Sequence, residues 1–150
     1  MIDAMIYQGR SRLSEQQIPK DNIRVMVRAL RDNGSVAYLA DLANRSSNSE
    51  LIPFFGEPAM TMTTVSKLAK MTGATVLTYF FRRLPGKAGD VANIGAPLHD
   101  FPTDDVVADT RRLVERLEEY IRLAPEQYMW TYRRFKGRPE PFPDIYRADS

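Results

Sequence analysis

"TTVSKLAKMTGATVLTYFF", residues 63–81, decides the fold class. After two threonines, Val65, Leu68 and Ala69 recur at helical spacing, and Gly73 suits the left-handed position just past a helix end. "ATVLTYFF" (74–81) then carries no charge and is rich in β-branched and aromatic residues, the composition of a strand. An earlier apolar run, "SVAYLA" (35–40), reads as a second buried strand. Strand, helix and strand in that order make a βαβ unit, which demands a right-handed crossover and parallel pairing of 35–40 with 74–81. The expectation is therefore an α/β fold with a mixed, partly parallel sheet flanked by helices.

The remaining elements fit around that unit. Ile23, Met26, Val27 and Leu30 fall on one helical face opposite Arg24, Arg28 and Arg31, with Asp21 placed to cap the start and Gly34 the end. Residues 3–16 hold at most a short helix, interrupted by Gly9. In "LIPFFG" (51–56), Pro53 restricts the run to an edge or irregular segment. "PGKAGD" (85–90) is a turn, from which "VANIGAPL" (91–98) returns antiparallel.

A long helix starts near Thr103, with Asp104 and Asp105 at the positive end of its dipole. Val106, Thr110, Leu113, Leu117, Tyr120 and Ala124 trace its inner face, widened by Val107, Val114 and Ile121. Arg111–Glu115 and Glu118–Arg122 sit at i, i+4 outside. Pro125 restarts the chain into a second helix over 126–134, and 137–150 reads as an extended, proline-rich tail.

At 150 residues the chain suits a single domain, long enough to bury roughly 70% of its unfolded surface. Hydrophobic residues are 43%, charged residues 27%, and the formal charge is +2, a globular rather than disordered composition. The absence of cysteine excludes disulfides, thiolate metal sites and a thiol nucleophile. No apolar run is long enough to read as a membrane span.

Catalytic templates are scarce. The sole histidine, His99, stands five residues before Asp104, the H-x-x-x-x-D spacing in which a carboxylate orients an imidazole base. Pro102 interrupts the pair and Asp104 has a competing duty at a helix start, so a solvated loop histidine is the better reading. There is no G-x-S-x-G elbow, Walker loop or G-x-G-x-x-G, and one histidine without cysteine does not build a common zinc site. The residues alone assign no catalytic group and no metal. One segment stands apart: in "APEQYMWTYRRFKGRP" (124–139), Tyr128, Trp130, Tyr132 and Phe135 are threaded with Arg133, Arg134, Lys136 and Arg138. Rings with basic neighbours suit a lipid–phosphate boundary, single-stranded nucleic acid, or a packed helix with a solvated edge.

Taken in order, Pro-Phe-Phe-Gly (53–56), "LAKMTGA" (68–74), "DFPTDD" (100–105) and "PEQYMWTYRRFK" (125–136) resemble the lipid A biosynthesis lauroyl/myristoyl acyltransferase family, over nearly all of 20–146. The resemblance implies part of the glycerolipid acyltransferase fold. It implies transfer of a fatty acyl group from acyl carrier protein to a hydroxyl of a lipid A precursor, with no cofactor. The place of action would be the cytoplasmic face of the bacterial inner membrane, peripherally for this chain, against an anionic surface and without nucleic acid. Family members run to roughly twice this length and carry a membrane helix and a His-x4-acidic pair upstream of the matching region. The expectation is thus a C-terminal portion, inactive by itself or acting as a non-catalytic membrane- or partner-binding remnant. Where the family has Pro-Asp-Gln-Asp, this chain has Ala40, Asp41, Leu42 and Ala43, leaving Asp41 to bind a sugar hydroxyl. Arg133 and Arg134 are the expected phosphate contacts. Missing front-half strands would expose apolar edges at 35–40 and 74–81 and lower solubility.

Overall fold

A computed structural model of the chain describes residues 8, 11–12, 14–19, 22–43 and 46–146. They fall into two compact units, Met1–Ala37 and Tyr38–Ser150. The helix expected over 3–16 and the Asp21 cap lie largely or wholly outside the described residues.

In the first unit, helix α1 (Ile23–Arg31) buries Met26 and places Arg28 and Arg31 in its last turn, where they favour the dipole. Asn22, next to the expected cap, accepts from the Val25 N–H at 3.3 Å. Asn33, at φ +63°, takes the left-handed position assigned to Gly34. Gly34 is needed for a different reason: its N–H donates to the Ala29 carbonyl at 2.9 Å, and a Cβ there would lie 2.8 Å from that oxygen.

The second unit opens with a hairpin that the sequence concealed. Strands β1 (Ser49–Phe54) and β2 (Glu57–Met62) pair antiparallel, with Ile52 opposite Ala59 and Pro53 opposite Pro58. Phe55 (φ +49°) and Gly56 (φ +88°) make a two-residue turn with both residues left-handed, the geometry that matches strand twist. The edge position inferred from Pro53 is met, because among the described residues each sheet has two strands. Helix α2 (Thr64–Thr72) follows, ending on Gly73 at φ +71° as its sequence dictates. Strands β3 (Tyr79–Arg83) and β4 (Asp90–Ile94) form the second antiparallel pair. Further bonds from Gly95 N to Thr78 O and from Leu98 N to Val76 O prolong it.

Helix α3 (Val106–Leu123) packs on β1. The core joins Ile52, Phe54 and Ala59 of the first hairpin to Val114 and Ile121 of α3, with Phe80, Leu117, Tyr128 and Phe135 against them. Phe80 stacks on Tyr120 with ring centroids 4.7 Å apart, tying the second hairpin to the same helix. Both expected surface ion pairs form, Arg111–Glu115 and Arg122–Glu118, each at 3.0 Å.

The architecture is mixed α/β, and three sequence expectations need correction. Residues 35–40 form no strand, and the sheets present are antiparallel pairs rather than a partly parallel sheet. A strand is a property of a ladder, and this segment keeps its alternating exposure without finding a partner. The helix expected over 126–134 is one 3₁₀ turn, Pro125–Gln127, followed by turns. Packing overrides local propensity here: Tyr128 and Phe135 are drawn to Phe54, and the Trp130 indole donates to the Pro125 carbonyl at 2.7 Å. The cap of α3 is Asp105, accepting from Val107 N and Ala108 N at 2.9 Å each. Thr103 is engaged elsewhere, donating its hydroxyl to Asp109.

Candidate functional site

The C-terminal end of α3, the 3₁₀ turn and the inner face of β3 line an open cavity of about 180 Å³. Phe80, Tyr120, Ile121, Leu123 and Met129 supply apolar walls, and Asp41, Arg82, Asn93, Gln127 and Tyr128 supply polar groups. Apolar walls with a few converging polar groups are the usual make-up of a small-molecule site.

Several of these polar groups have a local reason for their place. Asp41 rides on an extended segment whose Ala43 carbonyl accepts from the Tyr132 hydroxyl at 3.2 Å. Gln127 is fixed by two hydrogen bonds to the backbone N–H and C=O of one residue of β3. Its Oε1 accepts from Arg83 N at 2.7 Å and its Nε2 donates to Arg83 O at 2.9 Å. Arg82 alternates inward on β3, and its Nε is buried without a hydrogen-bond partner. Burial pushes the Tyr128 phenol up to about 12, and the Asp41 carboxylate adds to that shift. Asp41, Tyr128 and Arg134 thus share one electrostatic neighbourhood.

The two arginines expected on phosphate separate. Arg133 is exposed, with its guanidinium 5.7 Å from the centre of the Tyr146 ring. Arg134 is 3% exposed. It donates to the Met60 carbonyl at 2.8 Å and the Thr61 hydroxyl at 2.7 Å, and lies 5.2 Å from the Phe54 ring centre. Burial lowers its pKa from the ordinary arginine value, and its Nε has no partner. The aromatic residues of the same segment divide likewise: Tyr128 and Phe135 pack on Phe54, whereas Met129 and Trp130 stay exposed.

His99 sits exposed in a turn, its carbonyl accepting from Arg112. Asp104 is salt-bridged to Lys70 at 2.7 Å, which holds its carboxyl below the usual range. The formal His-x4-Asp spacing is therefore occupied by a lysine contact. Among the described residues, no group of three or more His, Cys, Asp or Glu side chains could hold a metal.

One polar cluster went unread in the sequence. Asp109 is fully buried on the inner face of α3 and accepts from Ser66 Oγ at 2.6 Å, Thr103 N at 2.9 Å and Thr103 Oγ1 at 3.0 Å. An aspartate at an inward position of an amphipathic helix was the available signal. The cluster binds α2 to the loop before α3, and its hydrogen bonds are internal.

The profile of the bacterial lipid A biosynthesis acyltransferase family matches residues 1–137. This chain belongs to that family. It is 33% identical to the lipid A biosynthesis lauroyltransferase of Escherichia coli K12 over 147 residues, which is 97% of this chain and 48% of the relative. It is 32% identical to the palmitoleoyltransferase of the same organism, over 92% of this chain and 45% of the relative. A lipid A biosynthesis acyltransferase of Haemophilus influenzae is 30% identical, over 97% and 48%. The chain spans about half the length of these relatives. Family membership thus agrees with the resemblance carried by Pro-Phe-Phe-Gly, "DFPTDD" and "PEQYMWTYRRFK". Among the described residues no helix is long and apolar enough to cross a membrane.

Proposed function

We propose that this chain supplies the substrate-holding part of a lipid A acyltransferase and does not transfer an acyl group by itself. The observation that carries the reading is the cavity beside Asp41 in a chain of this family. The whole reaction would move a fatty acyl group from acyl carrier protein to a hydroxyl of a lipid A precursor. In that scheme the Asp41 carboxylate accepts a hydrogen bond from a sugar hydroxyl, and the walls formed by Phe80, Ile121 and Leu123 receive apolar substance. Arg133, on the surface, faces phosphate of the precursor. Arg134 lends its positive charge from within while anchoring the segment that presents Arg133. The place of action is the cytoplasmic surface of the inner membrane, reached peripherally.

Inactivity in isolation is supported by the state of the one histidine. An acyl transfer of this kind needs a base to take the hydroxyl proton. His99 is exposed, and the acid at the right spacing is bound to Lys70.

Two measurements test this. Trp130 is the sole tryptophan, so titration of the purified chain with a lipid A precursor can be followed by its emission. Binding is expected, weakened about tenfold by Asp41→Asn, the effect of one charge-assisted hydrogen bond. Incubation with acyl-loaded acyl carrier protein and precursor is expected to give no acylated product. Product that disappears in His99→Ala would overturn the inactivity, and unaltered binding by Asp41→Asn would remove Asp41 from the site.

A further inference from the structure

Among the described residues, Arg82, Arg134 and Arg138 each keep a buried Nε–H with no acceptor. Two of them are otherwise occupied. Arg134 donates to Met60 and Thr61, and Arg138 donates to the Pro143 carbonyl at 2.8 Å with its guanidinium over the Phe135 and Phe142 rings. Arg82 differs: its guanidinium has no hydrogen bond, ion pair or aromatic contact among the described residues. A guanidinium carries five N–H donors in a fixed fork and stays charged, so a half-buried one without an acid is matched to an anion from outside the chain.

The surroundings of Arg82 define the anion. Arg82 and Asn93 both line the cavity, from strands β3 and β4. Arg82 stands opposite Val91, which makes Asn93, two residues on, its diagonal neighbour. Diagonal neighbours lie about 7–8 Å apart, a gap that a long side chain spans, so a guanidinium and an amide can donate to one group held between them. Among the described residues, Asp41 and Arg82 are the only charged side chains on the cavity wall, and they form no ion pair with each other. A ligand there meets an acceptor at one point and a cationic donor at another. The cavity, about 180 Å³, has room for about one six-membered ring, since a void of roughly 150 Å³ takes one benzene molecule. That suits a polar ring with its substituents rather than a whole lipid.

We propose that Arg82 and Asn93 hold a phosphate monoester of a sugar in this cavity, with Asp41 on a hydroxyl of the same ring. The proposal deepens the lipid A reading above, and the choice of phosphate over carboxylate rests on that reading. Phosphate meets the guanidinium fork with two oxygens at once and leaves a third for the amide. Arg133 does not line the cavity, so Arg82 is the arginine that reaches a phosphate inside it.

Glucose 1-phosphate, glucose and glucuronate are titrated into the purified chain with Trp130 emission as the readout, since Trp130 packs edge to face on Tyr128 of the cavity wall at 4.9 Å. Glucose 1-phosphate is expected to bind at least about tenfold more tightly than glucose or glucuronate. Arg82→Gln is expected to abolish that preference. Arg83→Gln deletes the same charge from the exposed neighbour and is expected to keep it. Because Arg82 has no partner in the described chain, Arg82→Gln is expected to unfold in urea at the parent's midpoint or above. Equal binding of glucose and its phosphate, an undiminished preference in Arg82→Gln, or the same loss in Arg83→Gln would each overturn the proposal. A lowered midpoint in Arg82→Gln would assign Arg82 to the fold and overturn it as well. Glucuronate bound as tightly as glucose 1-phosphate would overturn the choice of phosphate. The precursor titration separates the two readings: precursor binding without any phosphate preference removes this site alone. A phosphate preference that Arg82→Gln abolishes, without precursor binding, keeps the site and removes the lipid A reading.

Discussion

Replacing Arg134 by alanine distinguishes an interior brace from a phosphate ligand. Its two hydrogen bonds, at 2.8 Å to Met60 O and 2.7 Å to Thr61 Oγ1, have a charged donor and contribute about 1.5–3 kcal/mol each. The guanidinium above Phe54 adds about 0.5–2 kcal/mol. Against this stands the cost of keeping a cation out of water, several kcal/mol on the order of magnitude found for buried ions, with one N–H left unpaired. The net loss expected for Arg134→Ala is about 2–4 kcal/mol, a large part of the roughly 5–15 kcal/mol that holds a domain together. Arg134→Lys can reach one acceptor but not both, and should lose about half as much. Urea unfolding followed by circular dichroism and Trp130 emission reads the change as a lower midpoint at constant slope. Stability within about 0.5 kcal/mol of the parent, together with a tenfold loss of precursor binding, would refute the reasoning and make Arg134 a ligand.

Two further substitutions probe the same unit. Asp109→Ala strands the Ser66 hydroxyl and the Thr103 N–H, at about 1–3 kcal/mol for each donor, whereas Asp109→Asn keeps an acceptor and should lose markedly less; equal losses in urea unfolding would contradict the network. Tyr128 holds its proton more tightly when folded, so its contribution is complete below pH 10 and is lost as pH rises toward about 12. Tyr128→Phe should flatten the decline of the urea midpoint across that window, and an unchanged decline would show that the phenol is not its source.

What could be read in the sequence was local. The ion pairs of α3 and the Gly73 terminus depend on neighbours three to five residues away, and they appear as expected. The first hairpin was hidden because prolines stand opposite each other at 53 and 58 and because its turn is Phe-Gly rather than Asn-Gly. The strand expected at 35–40 failed for the opposite reason: its composition suits a ladder, but composition does not supply a partner. In the site, Asp41 could be singled out by resemblance. Its electrostatic influence on Tyr128 and Arg134 could not, since chain spacing carries no information about which charges the fold brings into range. The turn of Arg134 toward Met60 and Thr61 was equally illegible while β2 was unrecognised.

Gln127 meets the backbone N–H and C=O of Arg83 with both halves of its amide, as the backbone of an adjoining strand would. A side chain thereby stoppers the rim of β3 at the end nearest the turn. Any polypeptide that zips onto that rim must stop short of Arg83, so growth of the sheet in this direction is limited to a few residues. The stopper also hitches the hairpin to the 3₁₀ turn that follows the long helix, so a shift of one drags the other, and with it one wall of the cavity.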